Sequence, residues 1–82
     1  MRDSDQYRDD EYMTVLEAIL FAASGPVPYP QLAETLNLST NEVRLLARRL
    51  AESYQTEGRG IRLLFHEDRI RLVTAPEAAL FV

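Results

Sequence analysis

An α+β domain of three helices closed by a C-terminal β-hairpin is predicted by three observations. The stretch from Tyr12 to Ala23 has only Thr14 and Glu17 as polar side chains. Farther on, Val43, Leu46, Ala47, Leu50 and Tyr54 recur at helical spacing and form one apolar stripe. Two alternating runs then follow, Ile61 to His66 and Arg69 to Thr74, with the period of strands.

Each element has its own punctuation. Asp9 and Asp10 suit the cap and first turn of the first helix, where carboxylates meet the positive end of the dipole. Ser24-Gly25-Pro26 ends it, with Gly25 free to take positive φ and Pro26 unable to continue a helix. Val27-Pro28-Tyr29 reads as an extended link, and Pro30 suits the first position of a short second helix to Leu36. Leu32, Ala33 and Leu36 of that helix face inward. Asn37-Leu38 makes a tight turn. Ser39 and Glu42 then form a capping box for a third helix over Thr40 to Glu57, which Gly58 and Gly60 stop. Pairing the two strands matches Phe65 with Ile70 and Leu63 with Leu72 on the inner face. Glu67-Asp68 lacks the glycine that a two-residue hairpin turn prefers, so a longer or bulged loop is expected. Two helices at a tight turn, a helix before them and a hairpin after them describe a winged helix-turn-helix.

Composition sets the bounds. The 82 residues make one domain, and a chain this short buries only about 60% of its unfolded surface. With no cysteine there is neither a disulfide framework nor a thiolate metal site. The apolar run is too short to span a bilayer. The formal net charge is −4, unevenly spread. Residues 1–11 carry five acids against two arginines, and residues 1–10 read as an acidic disordered leader. Seven arginines against four acids occupy Arg44 to Arg71, and the chain contains no lysine. The domain itself is placed at residues 11–75.

Three surfaces are candidates for function. On the first helix apolar side chains cover roughly half the circumference, whereas a surface helix needs a stripe only about 100° wide. Phe21 falls outside that half, between Thr14 and Glu17. The excess predicts a homodimer seam made by Tyr12, Met13, Leu16, Leu20 and Phe21, the alternative being that one small core absorbs them all. On the third helix Arg44, Leu45, Arg48 and Arg49 share an outward face with Asn41 and Glu52. Such a face reads base edges or phosphates in DNA-binding winged helices. Leu45 among arginines fits a protein anchor with a charged rim. On the hairpin, Arg62, Leu64 and Arg71 lie on the outer face with His66, Arg69 and Val73. Glu67 and Asp68 at the tip oppose the approach of phosphates.

The strings LEAILFAASGPVPYPQLAETLNLSTNEVRLLARRLAESY, RGIRLL and RIRLVTAPE resemble the N-terminal winged-helix domain of the segregation and condensation protein B (ScpB) family. The resemblance runs from about residue 14 to residue 82, and ILFAASGPV, RGIRL and RLVTAPE are its most specific parts. It implies a non-catalytic, cytoplasmic and nucleoid-associated subunit with two tandem winged-helix domains. It also implies a homodimer that binds the kleisin subunit (segregation and condensation protein A-like) and, through it, the SMC ATPase in chromosome partition and condensation. DNA contact would be indirect or weak. Two departures stand out: the second winged-helix domain is missing, and the Glu67-Asp68 tip replaces a glycine-rich one. Thr74-Ala75-Pro76-Glu77 has the form of a helix start, so residues 76–82 are expected to open a linker helix toward that second domain.

Catalysis has little to draw on. His66 is the only histidine and sits beside a turn, and Glu67-Asp68 next to it makes a poor closed metal site. The three glycines form no phosphate-cradling loop, so no cofactor and no catalytic residue are expected. The sequence therefore predicts an assembly module that pairs with itself. A transcription regulator's DNA-binding domain is the alternative.

Overall fold

The computed structural model describes residues 2–78, with side chains from Asp9 onward. Three helices and three strands follow one another as α1 (Arg2–Ala22), β1 (Val27–Pro28), α2 (Tyr29–Leu36), α3 (Thr40–Thr56), β2 (Ile61–His66) and β3 (Arg69–Thr74). Their arrangement is the expected α+β winged helix-turn-helix.

The first helix is longer than expected. It runs from Arg2, so residues 2–10 are helical rather than a disordered leader, and Asp9 and Asp10 lie inside the helix rather than at its cap. No proline or glycine interrupts Arg2 to Ala23. Once the apolar half is packed, each further turn adds hydrogen bonds at no new nucleation cost. An ion pair from Asp9 to Arg49 on α3 ties the added turns to the domain. The helix stops at Ser24-Gly25-Pro26 without a left-handed glycine, because positive φ among the described residues occurs only at Asn37, Gly58 and Glu67. Pro26 makes the stop.

The other helix ends behave as their sequences dictate. Ser39 Oγ accepts from the Glu42 backbone N–H at 3.1 Å, and Glu42 Oε1 accepts from the Ser39 N–H at 2.8 Å, completing the capping box. Asn37 takes φ 59°, and the Leu38 N–H donates to the Ala33 carbonyl at 2.9 Å, which closes α2. Gly58 at φ 65° does the same for α3, with the Arg59 N–H donating to Tyr54 O at 2.9 Å. Both are six-to-one closures built on a left-handed residue.

Val27-Pro28 is more than a link. It is a short edge strand antiparallel to β3, pairing Val27 with Ile70 and Pro28 with Arg69, so the sheet has three strands in the order β1-β3-β2. An edge position is where a proline is tolerated in a sheet. The Tyr29 N–H donates to the Asp68 carbonyl at 2.8 Å and ties the start of α2 to the hairpin tip. The hairpin register is the predicted one, with Phe65 opposite Ile70 and Leu63 opposite Leu72. Its loop is not longer or bulged: His66 pairs with Arg69, leaving two residues, and Glu67 adopts φ 54° in place of a glycine.

The core lies between the helices and one face of the sheet. Leu16, Leu20, Val27, Tyr29, Leu32, Ala33, Leu36, Val43, Leu46, Ala47, Leu50, Tyr54, Leu63 and Ile70 are buried together. Phe65 departs from its expected inner position: it lies next to the hairpin tip on β2, an edge strand with a neighbour on one side only, and is left 42% exposed. At the chain's end, the Ala75 N–H donates to Gly60 O at 2.8 Å and Pro76–Ala78 form a turn. The remainder of the expected linker helix lies outside the described residues.

Candidate protein-interaction surfaces

The predicted dimer seam separates into two parts. Leu16 and Leu20 are 0% and 4% exposed, so both belong to the protomer's own core and cannot form a seam. Tyr12 and Met13 are half-buried against that core. The reason is geometric: α1 sinks its widest apolar side between α3 and the sheet. Phe21 is left out, 82% exposed, and Val15, about 120° around the helix from it, is 45% exposed at the other edge of the solvent-facing arc. Ala18 and Ala22 are also exposed there, so the outward face of the last turns carries no charge.

Beside Phe21 lies a groove of about 410 Å³ lined by Leu20, Ala23, Ile61, Leu72, Val73 and Thr74, with Glu17 at its rim. Glu17 is not an idle rim acid. Its Oε1 accepts a hydrogen bond from the Tyr54 hydroxyl at 2.7 Å, a bond that joins α1 to α3. Burial first, and then the Glu17 carboxylate, hold the Tyr54 hydroxyl above its ordinary titration range. An exposed aromatic knob therefore stands beside an apolar hole on one continuous surface.

The arginine face of α3 also divides. Arg44 and Arg48 turn toward the hairpin tip, where they line a cleft of about 570 Å³ with Tyr29, Phe65 and Glu67. The Arg44 guanidinium stands 5.1 Å from the centroid of the Tyr29 ring, a cation–π contact. Leu45 and Arg49 turn the other way, toward α1. Leu45, 64% exposed, lines a smaller groove of about 210 Å³ with Asp9, Tyr12, Leu38, Glu42, Leu46 and Arg49. Arg49 is paired there with Asp9.

On the hairpin, Arg62 is not an outward-reaching cation. Its guanidinium donates to the Ile61 carbonyl at 2.8 Å and to Glu77 Oε2 at 3.1 Å, pinning the base of β2 to the chain's end. Leu64, 49% exposed, faces exposed Arg71 across the ladder. His66 is exposed beside the turn, and among the described residues no three His, Cys, Asp or Glu side chains gather as a metal site would require.

With the fold and these surfaces in place, comparison with known proteins is decisive. Residues 14–82 match the family model described as segregation and condensation complex subunit ScpB. The chain belongs to the ScpB family. Segregation and condensation protein B of Clostridium botulinum strain Kyoto is 33% identical over 73 residues, covering 89% of this chain and 38% of that protein. Its counterpart in Caldanaerobacter subterraneus is 44% identical over 59 residues, covering 72% of this chain and 35% of that protein. The chain thus spans a little over a third of the length of these relatives. Among solved structures, a dimer of an ScpB N-terminal domain complexed with an ScpA peptide superposes with a TM-score of 0.81 at 29% identity, covering 88% of this chain and 90% of that one. ScpB from Mycobacterium tuberculosis gives 0.83 at 26% identity, covering 89% of this chain and 46% of that one.

The family match begins at Thr14 and so contains Phe21, its groove and the Arg44–Phe65 cleft. Three features of these surfaces were not legible in the sequence. Glu17 bonds Tyr54, Phe65 stays exposed, and Tyr29 lies beneath Arg44. Each depends on which elements meet, and residue spacing along one element does not specify that.

Proposed function

We propose that this ScpB-family domain is a self-pairing, non-catalytic scaffold of a kleisin-containing chromosome segregation and condensation complex. Phe21 is the observation that carries the reading. A soluble monomer gains nothing from an 82% exposed phenylalanine beside an apolar groove, whereas a second copy fills both at once. Knob and hole lie on one patch, so a two-fold axis through it makes a closed, self-complementary contact: each Phe21 enters the other protomer's groove against Leu20, Ile61, Leu72 and Val73. A ring of this size buries roughly 150–250 Å² and would anchor the interface. Support also comes from the solved ScpB N-terminal domain, which is a dimer holding an ScpA peptide and is matched over 90% of its chain. In this reading the pair acts by geometry, presenting two copies of a kleisin-binding surface in fixed relation.

The DNA-binding alternative finds less support. Of the arginines it needs, Arg49 and Arg62 are held by Asp9 and Glu77, and the hairpin tip presents acids.

Sedimentation velocity tests the pairing. Wild-type chain sediments as a dimer at tens of micromolar, and Phe21→Ser as a folded monomer. The substitution leaves thermal stability at low concentration within about 0.5 kcal/mol, as expected for an exposed site. A folded wild-type monomer at high micromolar concentration rules the pairing out.

A further inference from the structure

The cleft between α3 and the hairpin tip is chemically unlike the Phe21 groove. Arg44 and Arg48 are both exposed there, and neither has an ion-pair partner among the described residues. Four residues apart on α3, they stand about 6 Å from each other along its axis, and like charges at that spacing destabilise a helix. An anion between them removes the repulsion. Tyr29 is a second, independent observation. It is 5% exposed, and among the described residues the Tyr54 hydroxyl has a carboxylate partner whereas the Tyr29 hydroxyl has none. No side-chain oxygen of the described residues is both sealed from solvent and unpartnered, so the Tyr29 hydroxyl opens into the cleft that the residue lines. Burial, opposed by Arg44 and Arg48, raises its titration above the ordinary range, so at neutral pH it is a donor. Two guanidinium groups and a hydroxyl thus line one wall as donors without acceptors, a set suited to phosphoryl oxygens.

The opposite wall narrows the ligand. Phe65, 42% exposed, offers a ring on which a base can stack. Glu67 lines the far edge, and Asp68 follows it in the turn. These acids repel a ligand that is anionic along its whole length, as a polynucleotide strand is. They suit one that is anionic at one end and carries hydroxyl or amino donors at the other, because a carboxylate accepts from both. A ribonucleotide has that polarity, with phosphates at one end and a ribose whose hydroxyls donate to a carboxylate. The cleft, about 570 Å³, falls within the range of roughly 300–1,000 Å³ usual for small-ligand sites. Two guanidinium groups match a diphosphate better than a single phosphate, and a purine covers more of an exposed ring than a pyrimidine.

We infer that the cleft of Tyr29, Arg44, Arg48 and Phe65 binds a purine ribonucleoside diphosphate. Its phosphates lie on the two arginines and the Tyr29 hydroxyl, its base on Phe65 and its ribose toward Glu67. The site does not depend on self-pairing. Ile61 and Thr74 at the hairpin base border the Phe21 groove, whereas Phe65 and Glu67 near the tip border the cleft. Six-residue strands separate the two ends by roughly 17 Å.

Isothermal titration calorimetry of the whole chain with ADP and with GDP, in magnesium-free buffer, provides the test. The expected result is one nucleotide bound per chain, about ten-fold or more tighter than inorganic pyrophosphate or the nucleoside alone. Arg44→Ala/Arg48→Ala weakens that binding about ten-fold or more, and Arg48→Ala, which spares the contact on Tyr29, weakens it too. Tyr29→Phe keeps the ring under Arg44 and removes only the hydroxyl, at a loss of about three-fold or more. Phe65→Ala abolishes the advantage over pyrophosphate. Phe21→Ser leaves nucleotide binding unchanged, so failure of the pairing and failure of this site are told apart. No saturable binding of either nucleotide overturns the inference. Pyrophosphate bound as tightly as the nucleotides overturns it as well, by reducing the arginines to an unselective anion cluster. So does a single-stranded oligonucleotide that displaces the nucleotide with a steep salt dependence, since the strand is then the ligand.

Discussion

Tyr54 and Glu17 form the contact on which α1 and α3 agree beyond apolar packing. The hydroxyl is enclosed and donates at 2.7 Å to a carboxylate, a class of hydrogen bond worth about 1.5–3 kcal/mol. Tyr54→Phe is expected to lower stability by about 1–2 kcal/mol and Tm by roughly 5–15 °C in thermal melts. An unchanged Tm would mean that the bond is not made in solution. The same contact sets a pH dependence. Burial first, then Glu17, raises the Tyr54 hydroxyl above its ordinary value of about 10, and burial raises Tyr29 as well. A folded-state value raised above the unfolded one gives stability that is complete below about pH 10 and is lost as pH climbs past it. Melts above pH 10 should therefore fall more steeply for wild type than for Tyr54→Phe. The contrast between Leu16 and Phe21 belongs to this scale too. Both are large apolar residues on one helix, yet one is wholly enclosed and the other 82% exposed.

The hairpin is the element whose sequence and conformation disagree. A two-residue loop asks for a glycine, and Glu67 takes its place at φ 54°. Holding a side chain in the left-handed region costs about 1–2 kcal/mol, and glycine's extra freedom in the unfolded chain offsets part of any gain. Glu67→Gly is thus expected to raise stability by about 0.5–1 kcal/mol, and Glu67→Val to lower it, in urea unfolding. Equal midpoints for the three proteins would contradict the assigned turn. What holds the strained tip is not local: Tyr29, at the start of α2, donates to the Asp68 carbonyl, and β1 pairs with β3 behind it. The helix caps behave differently, since Ser39-Glu42 and Gly58 close α3 by contacts within a few residues. That locality is why their positions could be read in advance.

The whole molecule exposes two surfaces of opposite character at opposite ends of one hairpin, an apolar knob and groove at its base and a cationic, aromatic cleft near its tip. The self-association proposed for the first would make stability depend on concentration. The Tm of wild type should rise as chain concentration rises, while that of Phe21→Ser stays flat, in calorimetry over two decades of dilution. A flat wild-type curve would count against the pairing. The three helices, both hairpin strands, their register, the capping box and the family resemblance were all legible in the residues, because periodicity, caps and turn residues act over short stretches of chain. Those same signals placed Leu16 and Leu20 at a seam and residues 1–10 in a disordered leader, and neither placement held. An apolar arc on a helix states how much surface must be covered. It does not state what covers it. Tertiary structure decided that α3 and the sheet enclose Leu16 and Leu20 and leave Phe21 outside, that the arginines of α3 part to either side, and that Tyr29 lies under Arg44. The physical reason is that burial and charge pairing depend on contacts between residues far apart in the chain, which only the packed elements bring together.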